Sequence, residues 1–112
     1  MKANIVIFGK TSIIAQNFIN QDFCKKANII SISRSDMVKD DICCDIGRLL
    51  LPQELEHIGS KIKKKIIYKS TIFILFSWYG GPRIIDKSGA IWSTNMYIVQ
   101  NFINLTELIL PS

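Results

Sequence analysis

Histidine, cysteine and long apolar runs are all scarce in this chain, and each shortage removes a class of function. His57 is the only histidine and has no Cys, Asp or Ser constellation near it in sequence, so no triad or metal cluster is indicated. It reads as a helix-surface residue. The three cysteines, Cys24, Cys43 and Cys44, are odd in number and two are adjacent. That spacing suits neither a disulfide framework nor a zinc site, so all three are expected to be reduced, buried small hydrophobic residues. No apolar stretch approaches the roughly 20 residues that span a bilayer. The longest is Thr71 to Tyr79, and the N-terminus lacks the h-region of a signal peptide. A soluble, cytoplasmic protein with no membrane partner is the expectation.

At 112 residues the chain has room for one domain, residues 1–112, and one core. Its 48% hydrophobic and 21% charged residues place it among globular chains and away from disordered ones. The 14 Lys and Arg against 9 Asp and Glu leave a net charge of +5, which favours anionic ligands. No repeat, low-complexity tract or linker interrupts the chain.

The run Asn4-Ile5-Val6-Ile7-Phe8 is β-branched and apolar and stops at Gly9, as a strand buried on both faces does. A helix is predicted next, capped by Thr11 or Ser12 and ending near Lys25. Asn28–Ser33 reads as a second strand and Ile42–Ile46 as a short third. Leu51, Leu55, Ile58 and Ile62 recur at helical spacing, with Pro52 in the first turn and a lysine cluster, Lys61 to Lys65, at the end. Thr71–Ser77 is too uniformly apolar to alternate, which predicts a central strand. After a Gly80-Gly81-Pro82 loop, Ile91, Ile98, Phe102, Leu105 and Ile109 share one face of a long helix ending at Pro111. Strands separated by helices, with no tight hairpin, predict an α/β fold: a Rossmann-like parallel sheet with flanking helices.

The segment Gly9-Lys10-Thr11-Ser12-Ile13-Ile14-Ala15 lies at the first strand-to-helix junction, where such folds seat a pyrophosphate. Of the usual three glycines Gly9 alone is present, with small Ser12 and Ala15 in the other two places. A plain strand-loop-helix turn is the alternative. A P-loop is excluded by spacing, since the required first glycine falls on Asn4. Arg34, between Ser33 and Ser35, follows the second strand, where an arginine accommodates a ribose 2′-phosphate and a carboxylate prefers the free hydroxyl. NADP is therefore favoured, while Asp36 keeps NAD open and a solvated loop charge is the alternative for Arg34. The lysines from 61 to 69 lack interleaved aromatic residues apart from Tyr68 and read as a solvated helix end, with no nucleic-acid partner.

Residues 5–18 resemble the start of the short-chain dehydrogenase/reductase superfamily, and the rest resembles its extended branch, the NAD(P)-dependent epimerase/dehydratase family. Further landmarks are Asp45 and Ile46 in Cys-Asp-Ile, Ser77-Trp78 at the end of the fourth strand, and Val99-Gln100-Asn101-Phe102 with Leu105 and Leu108. The resemblance implies Gly9, Thr11, Ser12 and Ile13 around a pyrophosphate, Arg34 at the 2′-phosphate, Asp45 and Ile46 at the adenine, and Ser77 and Trp78 beside the cofactor. Packing alone is the alternative for Trp78.

It also implies a nucleotide-sugar substrate for a full-length form. The family's Tyr-x-x-x-Lys pair follows a fifth strand, and the chain ends before one. The internal Tyr68-Lys69 has the wrong spacing and Tyr79 is followed four residues later by Arg83, so no catalytic residue is assigned. The expectation is a cofactor-binding N-terminal portion, truncated after about four strands and inactive alone. A free-standing nucleotide-binding or protein-interaction module is the alternative. An uncovered fourth strand predicts self-association or a partner chain.

Overall fold

The computed structural model describes residues 2–10, 12–34, 42–77 and 89–110. Strand β1 (Asn4–Phe8) leads into helix α1 (Ile13–Ile19) and a 3-10 turn, Asp22–Cys24. Strands β2 (Asn28–Ser33) and β3 (Ile42–Cys43) follow, then α2 (Pro52–Lys65), β4 (Thr71–Leu75) and α3 (Ala90–Ile109). All pairings are parallel, in the order β3-β2-β1-β4. The α/β parallel arrangement read from the pattern is present.

Every β1 residue is buried because the strand has neighbours on both sides and helices on both faces. Alternation divides it between two apolar clusters. Ile5 and Ile7 pack with Cys24, Phe18 and Ile74 on the α1 side. Val6 and Phe8 face the larger cluster, which includes Ile58 and Ile62 of α2 and Ile98, Leu105 and Ile109 of α3. Phe8 meets Phe102 edge to face, ring centroids 5.0 Å apart.

Four expectations need correction. The first helix stops at Ile19, not near Lys25. Past it the Gln21 N–H turns back to Phe18 O and the Gln21 side chain donates to Asn17 O, the local competition by which amide side chains end helices. The third strand covers only Ile42–Cys43, because the Asp45 carboxylate takes the Gly47 N–H at 2.9 Å and bends the chain away. The fourth strand lies at the end of the sheet, paired only with β1 among the described residues and half-buried or exposed, which overturns the central place its apolar run predicted and agrees with the expectation of an uncovered fourth strand. Apolar content recorded the helices over its faces and carried no information about its hydrogen-bonding edges. Cys43 is exposed, since it alternates with buried Ile42 and Cys44.

α2 starts as read: Pro52 is its first residue, and the Glu54 carboxylate accepts the Leu51 N–H at 3.2 Å. Lys63, Lys64 and Lys65 occupy the last turn. At the opposite edge of the sheet from the candidate site, Asn4 is fully buried and joins β1 to the chain entering β4.

Candidate functional site

Because β2 and β3 extend from one side of β1 and β4 lies on the other, the chain leaves the C-terminal ends of β1 and β4 in opposite directions. A crevice opens where the strand order reverses. It holds a pocket of about 290 Å³, lined at its sheet end by Gly9, Ser12, Ile32, Ser33 and Arg34. Cys44, Asp45, Ile46 and Gly47 form a second wall; Phe76 and Ser77 beyond β4, with Thr94 and Ile98 of α3, close it.

Gly9 shapes the turn through geometry open to glycine alone. Its φ is +93°, and an added Cβ would lie 2.7 Å from both the N and Oγ of Ser77 and 2.9 Å from the Phe76 carbonyl carbon. Its N–H donates to Ile32 O at 3.2 Å, extending the β1–β2 ladder, and its carbonyl accepts the Ser12 N–H at 3.2 Å. Ser12 is the N-cap of α1: its hydroxyl accepts the Ala15 N–H at 3.0 Å. Ala15 is fully buried, so the small residue in the third glycine position lets α1 close on the sheet. With seven residues, α1 brings only a short dipole to this end.

Arg34 is exposed at the end of β2, and its carbonyl accepts a weak bond from the Cys43 thiol at 3.7 Å. Asp45 is exposed with one oxygen held in the turn to Gly47. Ile46 is buried in the core beneath the pocket and its carbonyl accepts from Asn101 Nδ2 at 2.8 Å. The same amide donates to Arg48 O at 2.7 Å, so buried Asn101 pins the wall that carries Asp45 and Ile46. Arg48 in turn pairs with Glu54 at 2.7 Å. Hydrogen bonds from Arg48 and from the Leu51 N–H hold the Glu54 carboxyl below the usual carboxylate range. Burial, opposed by Arg48, pushes the Cys44 thiol up to about 11; it faces the pocket as a neutral thiol and no nucleophile.

Of the residues singled out from sequence, Gly9, Ser12, Arg34, Asp45, Ile46 and Ser77 line this one pocket. Ile13 does not; its side chain is 80% exposed on the outer face of α1. Thr11, Trp78, Asp36 and the Gly80-Gly81-Pro82 loop lie outside the described residues. Sequence reasoning missed Gly47, Thr94 and Ile98. The Asp-Ile-Gly turn was a usable signal for Gly47, whose added Cβ would meet Thr94 Cγ2 at 3.0 Å. Thr94 and Ile98 carried none, since their place depends on where α3 crosses the sheet.

Chemically the pocket offers a close backbone approach, hydroxyls, a cation and one carboxylate already engaged in a turn, a set suited to holding a ligand more than to moving protons. Among the described residues no cluster of His, Cys, Asp and Glu could hold a metal ion. No family model, curated protein or solved structure matches the chain.

Proposed function

We propose that this chain binds a nicotinamide dinucleotide, NADP in preference to NAD, at the C-terminal edge of its sheet. The observation that carries the reading is convergence: Gly9, Ser12, Arg34, Asp45 and Ser77 come from separate segments and line one pocket where the strand order reverses. The pocket sits at the lower end of the roughly 300–1,000 Å³ typical of ligand sites, which suits the adenosine half of a dinucleotide. Arg34 is the group for a 2′-phosphate. Calorimetric titration tests this. NADP is expected to bind more tightly than NAD, and Arg34→Ala to lose about 1.5–3 kcal/mol for NADP and little for NAD. Tighter binding of NAD, or an unchanged preference in the variant, overturns the assignment.

In a longer chain this portion would serve a nucleotide-sugar epimerase or dehydratase, the reading supported by the sequence resemblance. The 112 residues contain no Tyr-x-x-x-Lys, so they are expected to bind without turnover. Nicotinamide reduction above a protein-free blank would refute that. A cytoplasmic site of action agrees with three free thiols and no disulfide. Self-association also belongs to this reading. It is supported by β4 at the sheet end and by Trp92, Met96, Val99 and Ile103, exposed at spacings of four, three and four on α3. Light scattering after size exclusion should give more than 12.8 kDa.

A further inference from the structure

Among the described residues positive charge is concentrated at one end of the sheet. In a parallel sheet every strand begins at the same edge, so the residues that precede the strands gather there. Lys2 precedes β1, Lys25 and Lys26 precede β2, and Lys61, Lys63, Lys64, Lys65 and Lys69 lie on the last turns of α2 and the connection into β4. All eight are exposed.

Hydrogen bonds tie these segments together. Asn4 Oδ1 accepts the Ile67 and Tyr68 N–H groups, and its Nδ2 donates to Tyr68 O and Ser70 O. Asn28 Nδ2 donates to Lys65 O at 2.7 Å, and the Asn28 N–H to Ala3 O at 2.9 Å. The acidic residues described at this end are Asp22, which pairs with Lys25 at 3.0 Å, and Glu107 in the last turns of α3. Among the described residues this end carries eight lysines against two carboxylates. Among the lysines stands Ile67, 68% exposed on the connection, with exposed Leu110 just past the end of α3.

From this juxtaposition we propose that the N-terminal edge of the sheet docks peripherally on an anionic lipid bilayer. The lysines lie against the headgroups and Ile67 enters beneath them. Clusters of four to eight basic residues suit anionic headgroups, and an apolar side chain among them adds a contact that a phosphate backbone does not reward. Nucleic acid would call for stacking rings, and Tyr68, half-buried with its backbone held by Asn4, is the one aromatic residue on the connection. No described helix is long and apolar enough to cross a membrane. The expectation of no membrane partner rested on the absence of such a span, and surface docking needs none. The pocket lies at the opposite edge of the sheet, so a docked molecule keeps it open to solvent.

Sedimentation of the 112-residue chain with vesicles tests the proposal. Binding is expected to phosphatidylcholine–phosphatidylserine vesicles and not to phosphatidylcholine alone, and to weaken as salt rises. Each lysine is worth roughly fivefold in partition, so Lys63→Glu, Lys64→Glu and Lys65→Glu combined should abolish binding. The matching arginine variant should keep it. Ile67→Asp should reduce binding with every lysine in place. Circular dichroism establishes that each variant is folded. Equal pelleting with neutral vesicles, no binding to either vesicle at low salt, indifference to the triple reversal, or binding of a single-stranded oligonucleotide without binding of vesicles overturns the proposal.

Discussion

Replacing Asn4 tests whether a single buried side chain holds the start of β1 to the entry of β4. Its Nδ2 lies 2.8 Å from Tyr68 O, 3.1 Å from Ser70 O and 3.1 Å from Thr71 Oγ1. Its Oδ1 accepts from Ile67 N at 3.0 Å, Tyr68 N at 3.2 Å and Asn28 Nδ2 at 2.9 Å. Asn4→Leu keeps the branched outline of the side chain and removes every one of these bonds. Two N–H groups and two carbonyls then lose this partner, at about 1–3 kcal/mol for each that water does not reach. With some of the site open to solvent, a loss of about 3–5 kcal/mol is expected. That is a large part of the roughly 5–15 kcal/mol of a typical domain and about 15 °C in Tm. Urea unfolding followed by circular dichroism measures it, with the slope against denaturant unchanged. Asn28→Ala, which removes one bond to Asn4 and one to Lys65 O, should cost less, about 1–2 kcal/mol. An Asn4→Leu protein within 1 kcal/mol of the parent would show that water replaces these bonds and that the reasoning is wrong.

Gly9→Ala should cost about 2–4 kcal/mol, from the positive φ and the contact with Ser77, and abolish nucleotide binding; unchanged urea stability would refute the close approach. Asn101→Leu frees the Ile46 and Arg48 carbonyls from their shared donor and should weaken NADP binding about tenfold, without touching the ligand, in protein whose far-ultraviolet spectrum is unchanged. Thiol labelling read by mass spectrometry should modify exposed Cys43 well before buried Cys44. The Cys44 pKa is raised to about 11 from 9.0, so its neutral form contributes stability that is complete below pH 9 and declines as pH rises towards 11. Cys44→Ala should remove that part of the alkaline loss, and equal labelling of the two thiols would contradict the burial.

Much of the fold was legible because its signals are local. The β-branched runs at residues 4–8 and 28–33 match β1 and β2 residue for residue, and apolar spacing marked α2 and α3. Gly9, Ser12 and Ala15 were legible for the same reason, since a strand-to-helix turn is set by a few consecutive residues. The pairing edge of β4 was not, because an apolar segment reports what covers its faces and leaves its hydrogen-bonding edges unstated. The exposure of Cys43 was not legible either, because it depends on which face of the chain at Ile42, Cys43 and Cys44 meets the core. Asn4 looked like an ordinary first strand residue until Asn28, 24 positions away, and the segment 63 to 67 positions away were brought beside it. Asn101 meets Ile46 and Arg48 across more than 50 residues, and Thr94 and Ile98 reach the pocket because α3 crosses that end of the sheet. Periodicity assigns each residue a face within its own element; which faces and edges meet depends on the strand order, which the parallel crossovers set between segments far apart in sequence.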